Sequence, residues 1–185
     1  MDWTHREYFR RFDLNVEQYG EILIAQLFNG TKKGDAQPCY DIETSDENMR
    51  DGLQPTTGIS PIMVEKCLAG VKGGIIRIEV KSKLVRTQSG IASVIHCSDN
   101  KIHGTKKHCA ATHFAVILFD RERKGVAEHA WLFSTEIARQ LRREETMSRY
   151  ISVASLKVAS KNSRDAIVDI CALVNETASK SLQTM

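Results

Sequence analysis

The sequence predicts an α/β fold in which a mixed central β-sheet is flanked by α-helices. Three segments carry this prediction: residues 14–28 have apolar side chains at helical spacing, residues 75–83 alternate apolar and polar side chains, and residues 113–119 are almost continuously apolar. Helical and strand patterns that follow each other along one chain are typical of a sheet packed between helices.

The first predicted helix covers residues 14–28, and Asn29-Gly30 is a typical stop signal after it. Its apolar side chains recur every three or four residues and so share one face: Val16, Tyr19, Leu23 and Leu27. Residues 39–44 predict a short strand. Residues 45–74 hold two of the three prolines and several glycines, which predicts an irregular insertion with one short helix near Ile62 to Leu68.

The clearest predicted strand is Ile75 to Lys83. Its apolar side chains point to one face, whereas Arg77, Glu79 and Lys81 point to the other. Residues 91–96 are expected to form its antiparallel neighbour. The apolar run at residues 113–119 predicts a strand covered on both faces.

The C-terminal third predicts a strand at residues 127–133, a helix at residues 135–143, and a last strand at residues 150–158. A final helix is expected with Ser163 as its N-cap and Asp165 in its first turn. The apolar stripe of that helix would consist of Ile167, Ile170, Cys171 and Val174.

Length and composition predict one domain over residues 1–185, and exclude several classes of protein. No apolar run approaches the roughly 18 residues of a membrane span, and the charged N-terminus lacks a signal peptide's apolar stretch, so a cytoplasmic protein is expected. Five cysteines without a CxxC pair argue against a disulfide framework. The net charge of +3 permits nucleic-acid binding without requiring it.

One group of residues has the chemistry that phosphodiester hydrolysis requires. Carboxylates can hold Mg²⁺, which activates water and neutralises phosphate charge. Glu79 and Lys81 are two residues apart on one strand, so their side chains project from one face about 7 Å apart. If the strand that carries Asp41 pairs with theirs, two carboxylates and one ammonium group converge.

Tyr40-Asp41-Ile42, followed by Ile78-Glu79-Val80-Lys81-Ser82, resembles the PD-(D/E)xK superfamily of restriction-endonuclease-like nucleases. In that family an Asp opens one core strand and a (D/E)xK triplet lies on the next. The resemblance implies a restriction-endonuclease-like core over about residues 14–134 and a Mg²⁺-dependent endonuclease, with Mn²⁺ as a substitute ion. It also implies DNA as the partner, in restriction, repair or mobile-element defence.

The resemblance implies roles for individual residues. Asp41 and Glu79 would be metal ligands, with the Val80 carbonyl as a third, and Lys81 would hold or polarise the attacking water. Tyr19-Gly20-Glu21 resembles the helix that often supplies a further acidic residue, which makes Glu21 a possible outer acid.

Two features depart from the family pattern. No proline directly precedes Asp41, since Pro38 is three residues earlier. The gap from Asp41 to Glu79 is also longer than usual, which leaves other acidic residues as possible substitutes for Asp41: Glu43, Asp46 and Asp51.

A second cluster between residues 96 and 113 contains possible zinc ligands: His96, Cys97, His103, His108, Cys109 and His113. Their spacing offers no CxxC or HxxxH pair, so no structural zinc is expected. The basic residues in and before this loop are expected to contact phosphates: Lys83, Lys101, Lys106 and Lys107. The Arg139 to Arg143 cluster is interpreted as a solvated helix face.

Two other functions remain open from the sequence. One is a catalytically inactive nucleic-acid-binding module on the same fold, and the other is a zinc-stabilised interaction protein that uses the His/Cys loop. A homodimer is a further expectation, because two-strand cleavage by so small a domain normally requires two active sites.

Overall fold

The computed structural model describes residues 14–34, 39–54, 59–71, 73–85, 94–97, 102, 110–120, 123, 125–144, 150–162 and 166–184. Within them, a mixed six-stranded sheet is flanked by helices. Its strands are β1 (Thr31–Lys32), β2 (Ile42–Ser45), β3 (Ile75–Leu84), β5 (His113–Phe119), β6 (Ala127–Ser134) and β8 (Ile167–Asp169). The remaining strands, β4 (Val94–His96) and β7 (Tyr150–Ser152), form a separate two-stranded sheet. The helices are α1 (Val16–Leu27), α2 (Asp46–Gly52), α3 (Pro61–Leu68), α4 (Thr135–Glu144), α5 (Val153–Ala159) and α6 (Cys171–Thr184).

The order of strands in the six-stranded sheet is β1-β2-β3-β5-β6-β8. β3 and β5 run parallel, and the other neighbouring pairs are antiparallel. Every residue of β5 is buried, which explains its apolar sequence and its place inside the sheet. The prediction of an α/β fold with a mixed sheet between helices is therefore confirmed.

The two faces of the sheet pack against different helices. Ile78 and Val80 of β3 lie in one hydrophobic core together with Leu23 and Ile24 of α1. The other core contains Phe114 and Val116 of β5, together with residues of α4 and α5. β3 pairs with β5 so that Glu79 is beside Phe114 and Lys81 is beside Val116. Glu79 and Lys81 therefore project from the face of the sheet that packs against α4 and α5, away from α1.

Several predicted elements are confirmed with small changes in their bounds. α1 falls within the predicted helix 14–28, β3 extends the predicted strand by one residue, and β5 matches its prediction. β6 and α4 each end one residue later than predicted. The strand predicted at residues 39–44 instead begins at Ile42 and ends at Ser45.

The predicted pairing of residues 91–96 with β3 is wrong. β4 pairs with β7, because β2 and β5 occupy both edges of β3. Residues 91–93 lie outside the described part of the chain.

The described residues of segment 45–74 form two helices where one was predicted. The missed helix, α2, begins after Ser45, whose hydroxyl accepts a hydrogen bond from the Asn48 N–H at 3.0 Å. Asp46 and Glu47 in its first turn suit the positive end of the helix dipole. These capping signals are local in sequence. The glycines and prolines of the segment nevertheless led to the prediction of an irregular insertion.

Two predictions near the C-terminus are also corrected. The strand expected at residues 150–158 ends at Ser152, whose hydroxyl caps α5 by accepting from the Ser155 N–H at 2.9 Å. Residues 167–169 form β8 rather than helix, because they pair with β6, and α6 begins at Cys171. Ser163 and Asp165 lie outside the described residues.

No helix in the described segments combines the length and apolar character needed to cross a membrane.

Candidate functional site

Asp41 lies immediately before β2 and is held against β3 by its backbone and its side chain. Its N–H donates to the Ile78 carbonyl at 2.9 Å, and its Oδ2 accepts from the Val80 N–H at 2.8 Å. On its other side, the Asp41 carbonyl accepts from the Lys33 N–H at 2.7 Å. These contacts fix the Asp41 carboxylate beside the Glu79-Val80-Lys81 triplet.

Glu79 and Lys81 form an ion pair on the face of β3 that is turned away from α1. Lys81 Nζ lies 2.5 Å from Glu79 Oε1, and the Glu79 side chain is only 1% exposed, whereas that of Lys81 is 27% exposed. Removing a carboxylate from water costs much free energy unless a cation accompanies it. Lys81 supplies that cation and also keeps the pair in contact with solvent.

Electrostatics link Lys81 to both carboxylates. Burial acts to lower the pKa of Lys81, but the charge and hydrogen bond of Glu79 and the charge of Asp41 together outweigh burial, so the pKa is raised. Lys81 is therefore an ammonium cation at neutral pH. Asp41, Glu79 and Lys81 form one charge cluster.

The Val80 carbonyl points toward the strand edge where Asp41 lies. In an extended strand the N–H and C=O of one residue point to the same side, and the Val80 N–H is bonded to Asp41. The structure thus brings together the residues predicted to hold a metal: Asp41, Glu79 and Val80.

Glu21 forms an ion pair with a cation outside this cluster. It lies on α1, and its carboxylate is 2.7 Å from Lys32 Nζ on the edge strand β1. α1 packs on the opposite face of the sheet, with Gly20 against Ser82: a Cβ on Gly20 would be 1.8 Å from the Ser82 hydroxyl oxygen. The structure therefore pairs Glu21 with Lys32, and its role as an outer acid stays a prediction.

The possible substitutes for Asp41 have other partners. Glu43 accepts hydrogen bonds from Lys33 and Tyr40, Asp46 is paired with Arg50, and Asp51 accepts a 3.4 Å hydrogen bond from Gln54. Asp41 is the acidic residue of this group that bonds to the backbone of the triplet.

The predicted zinc ligands fall into different surroundings where they are described. His96 is exposed, with its ring centre 5.1 Å from that of Tyr150, and Cys97 is buried. His113 is buried, with Nε2 2.9 Å from the Cys67 carbonyl and Nδ1 3.0 Å from the Thr112 hydroxyl. His103, His108 and Cys109 lie outside the described residues.

Described residues include no group of three or more His, Cys, Asp or Glu side chains placed to hold one metal ion. The candidate site has two such side chains, Asp41 and Glu79, together with the backbone carbonyl of Val80. Of the lysines predicted to contact phosphates, Lys83 is exposed on β3, two residues beyond Lys81. Lys101, Lys106 and Lys107 lie outside the described part of the chain.

The buried thiol of Cys97 lies close to the charge cluster. The pKa of Cys97 is raised to about 12, first by burial, although the charges of Lys81 and Arg142 act to lower it. Cys97 thus lies within electrostatic range of both cations. Sequence reasoning grouped Cys97 with possible zinc ligands, and nothing in the local pattern placed it near Lys81.

No protein-family model matches the sequence, and no curated protein matches it either.

Proposed function

We propose that the protein is a Mg²⁺-dependent nuclease of the restriction-endonuclease-like kind, which hydrolyses phosphodiester bonds in DNA. The proposal rests on one observation above all: the Asp41 carboxylate is bound to the Val80 N–H, in the middle of the Glu79-Val80-Lys81 triplet. Asp41 and Val80 are 39 residues apart in sequence. Without their contact, the proposal would rest on the sequence pattern alone.

The donor set suits Mg²⁺. Asp41 and Glu79 offer carboxylate oxygens and Val80 offers a carbonyl oxygen, which are the hard ligands that this ion prefers. Fewer than six protein donors also leave room for water and for a phosphate oxygen. A bound Mg²⁺ would lower the pKa of a coordinated water and offset negative charge on the phosphate. Mn²⁺ accepts the same ligands and is expected to substitute.

Lys81 would act as a cation rather than as a proton acceptor. Its raised pKa keeps the ammonium group protonated at neutral pH, so it can donate hydrogen bonds to a phosphate oxygen or to the attacking water. Glu79 holds Lys81 in place through their ion pair. Because the Lys81 side chain is 27% exposed, a substrate can reach it from solvent.

The choice of DNA follows from the resemblance, and electrostatics are compatible with it. Lys83 adds an exposed positive charge beyond Lys81, on the same face of β3. Lys101, Lys106 and Lys107 would extend the contact with phosphates. Cleavage of both strands of a duplex would require a homodimer, which sedimentation in the presence of duplex DNA would reveal.

The decisive experiment is to incubate the protein with supercoiled plasmid, duplex oligonucleotide and single-stranded RNA, each with Mg²⁺, Mn²⁺ or EDTA. We expect metal-dependent cleavage of DNA that is lost in Asp41→Asn. Asp46→Asn is the matched control, because it makes the same change in an acidic residue that pairs with Arg50.

Cleavage that persists in Asp41→Asn would contradict the proposed site. Binding of DNA without cleavage under any metal condition would instead support a non-catalytic nucleic-acid-binding module.

A further inference from the structure

Four residues next to Asp41 form a second polar cluster, which we call the Glu43 network: Lys33, Tyr40, Glu43 and Arg77. Glu43 lies at its centre. Its Oε1 accepts from Lys33 Nζ at 2.9 Å, its Oε2 accepts from the Tyr40 hydroxyl at 2.9 Å, and Arg77 Nε is 3.7 Å from Oε2. The Arg77 guanidinium also lies over the Tyr40 ring, 5.7 Å from its centre.

The Glu43 network borders the candidate metal site on both strands. Arg77 precedes Glu79 by two residues on β3, so their side chains share a face about 7 Å apart. On the adjacent strand, Glu43 lies directly opposite Arg77. Lys33 also contacts the site itself, because its N–H donates to the Asp41 carbonyl at 2.7 Å.

Charges across the two clusters are balanced. The cations are Lys33, Arg77 and Lys81, and the anions are Asp41, Glu43 and Glu79. Loss of the Glu43 charge would leave one excess positive charge beside the site. A divalent cation would then meet repulsion from Lys33 and Arg77, which Glu43 now offsets.

We infer that Glu43 is a positioning residue of the proposed metal site, where its carboxylate offsets the charge of Lys33 and Arg77 so that Asp41 and Glu79 can bind a divalent cation. The inference rests on the proposed function. Glu43 is not offered as a ligand itself, because both of its carboxylate oxygens already accept hydrogen bonds.

The test measures Mn²⁺ affinity directly, by electron paramagnetic resonance of free Mn²⁺, in the full-length protein without substrate. We expect Glu43→Gln to bind Mn²⁺ about tenfold more weakly at low ionic strength, through electrostatic repulsion. The defect should shrink at about 0.5 M salt, where screening is strong. The double variant Glu43→Gln/Lys33→Met should regain most of the affinity, because it restores the charge balance.

Tyr40→Phe is the matched control, since it removes a hydrogen bond to Glu43 without changing any charge. Its Mn²⁺ affinity should stay within about twofold of that of the unchanged protein. Circular dichroism of each variant verifies that it is folded.

Unchanged affinity in Glu43→Gln, or a defect that salt and Lys33→Met fail to relieve, would overturn the inference while leaving the proposed function intact. Lack of any Mn²⁺ binding by the unchanged protein would overturn both. Asp41→Asn is measured in the same series, and its loss of Mn²⁺ binding would show that the ion is bound at the proposed site.

Discussion

The Asp41 carboxylate accepts a 2.8 Å hydrogen bond from the backbone N–H of Val80. At this point the side chain replaces a backbone carbonyl as the partner of β3, because the chain leaves regular pairing before Ile42. One carboxylate is thereby set at the edge of the strand that carries Glu79 and Lys81. The position of the candidate site thus depends on where β2 begins.

The ion pair between Glu79 and Lys81 predicts a non-additive effect on stability. Lys81→Met would leave a carboxylate that is 1% exposed without its cation, so we expect a loss of about 2–4 kcal/mol in the free energy of unfolding. Glu79→Gln/Lys81→Met should recover most of that loss, because no buried charge remains. Urea unfolding of both variants and of Glu79→Gln checks this, and additive effects would show that the two residues are not coupled.

His113 predicts a dependence of stability on pH. Burial acts to lower its pKa below the ordinary 6.5, against the opposing effect of the hydrogen bond to Cys67. The unfolded chain therefore takes up a proton below about pH 6.5 that the folded protein resists, so stability falls as pH decreases from there toward the lowered pKa.

Replacement of His113 by Gln removes this titration. The free energy of unfolding of His113→Gln should fall less steeply between about pH 7 and pH 5 than that of the unchanged protein. Parallel slopes in urea unfolding at several pH values would contradict the assignment. The variant should also be less stable at neutral pH, because His113 bridges Cys67 and Thr112.

Gly20 predicts a reversal of the usual effect of alanine in a helix. Glycine to alanine normally stabilises a helix interior by about 1 kcal/mol. Here the added Cβ would lie 1.8 Å from the Ser82 hydroxyl oxygen and 2.8 Å from its Cβ, so α1 would have to move away from β3. We expect Gly20→Ala to destabilise the protein by about 2 kcal/mol or more, measured by thermal or urea unfolding.

Ser82→Ala provides the comparison for that result. The Ser82 hydroxyl is buried and makes no hydrogen bond to any residue that the structure describes, so its removal should leave stability unchanged or raise it by about 1 kcal/mol. Gly20→Ala should remain unfavourable in the Ser82→Ala background, because the contact with the Ser82 Cβ persists. A stabilising Gly20→Ala would mean that α1 and β3 are not this close.

Sequence periodicity predicted the strands and helices whose pattern of burial is visible along their own residues. β5 is almost continuously apolar because it is covered on both faces. β3 alternates because Glu79 and Lys81 lie on the face turned away from α1. The partner of β4 could not be predicted, since a three-residue strand contains no signal of which edge it joins. Likewise, the Ile167–Asp169 segment has apolar spacing that suits a helix as well as a strand, and pairing with β6 decides it.

The sequence predicted only part of the candidate site, because local patterns do not show which strands pair. The positions of Glu79 and Lys81 follow from alternation along one strand, whereas that of Asp41 depends on pairing between two strands. Glu43, Tyr40 and Arg77 come together only through the β2–β3 register, which the sequence does not encode locally. The ion pair of Glu21 with Lys32 depends on how α1 packs against the sheet, which is a tertiary property.

Substitutions of different lysines should separate DNA binding from DNA cleavage. Lys81→Ala should abolish metal-dependent cleavage yet leave DNA affinity largely intact, because Lys81 is one of many possible phosphate contacts. Replacing Lys106 and Lys107 together by Ala should instead weaken binding to all DNA sequences alike. Each lost phosphate contact lowers the slope of log affinity against log salt by about 0.9, so the double variant should lose roughly 1.8.

Fluorescence anisotropy with two unrelated duplexes, over a range of salt concentrations and with Ca²⁺ to prevent cleavage, would measure both effects. Lys83→Ala is the single-charge comparison, and should lower the slope by about 0.9 because Lys83 is exposed on the face that carries Lys81. An unchanged slope in the double variant would mean that this loop does not contact DNA. Cleavage by Lys81→Ala at the rate of the unchanged protein would remove Lys81 from the proposed chemistry, since nothing else in the triplet can supply its positive charge.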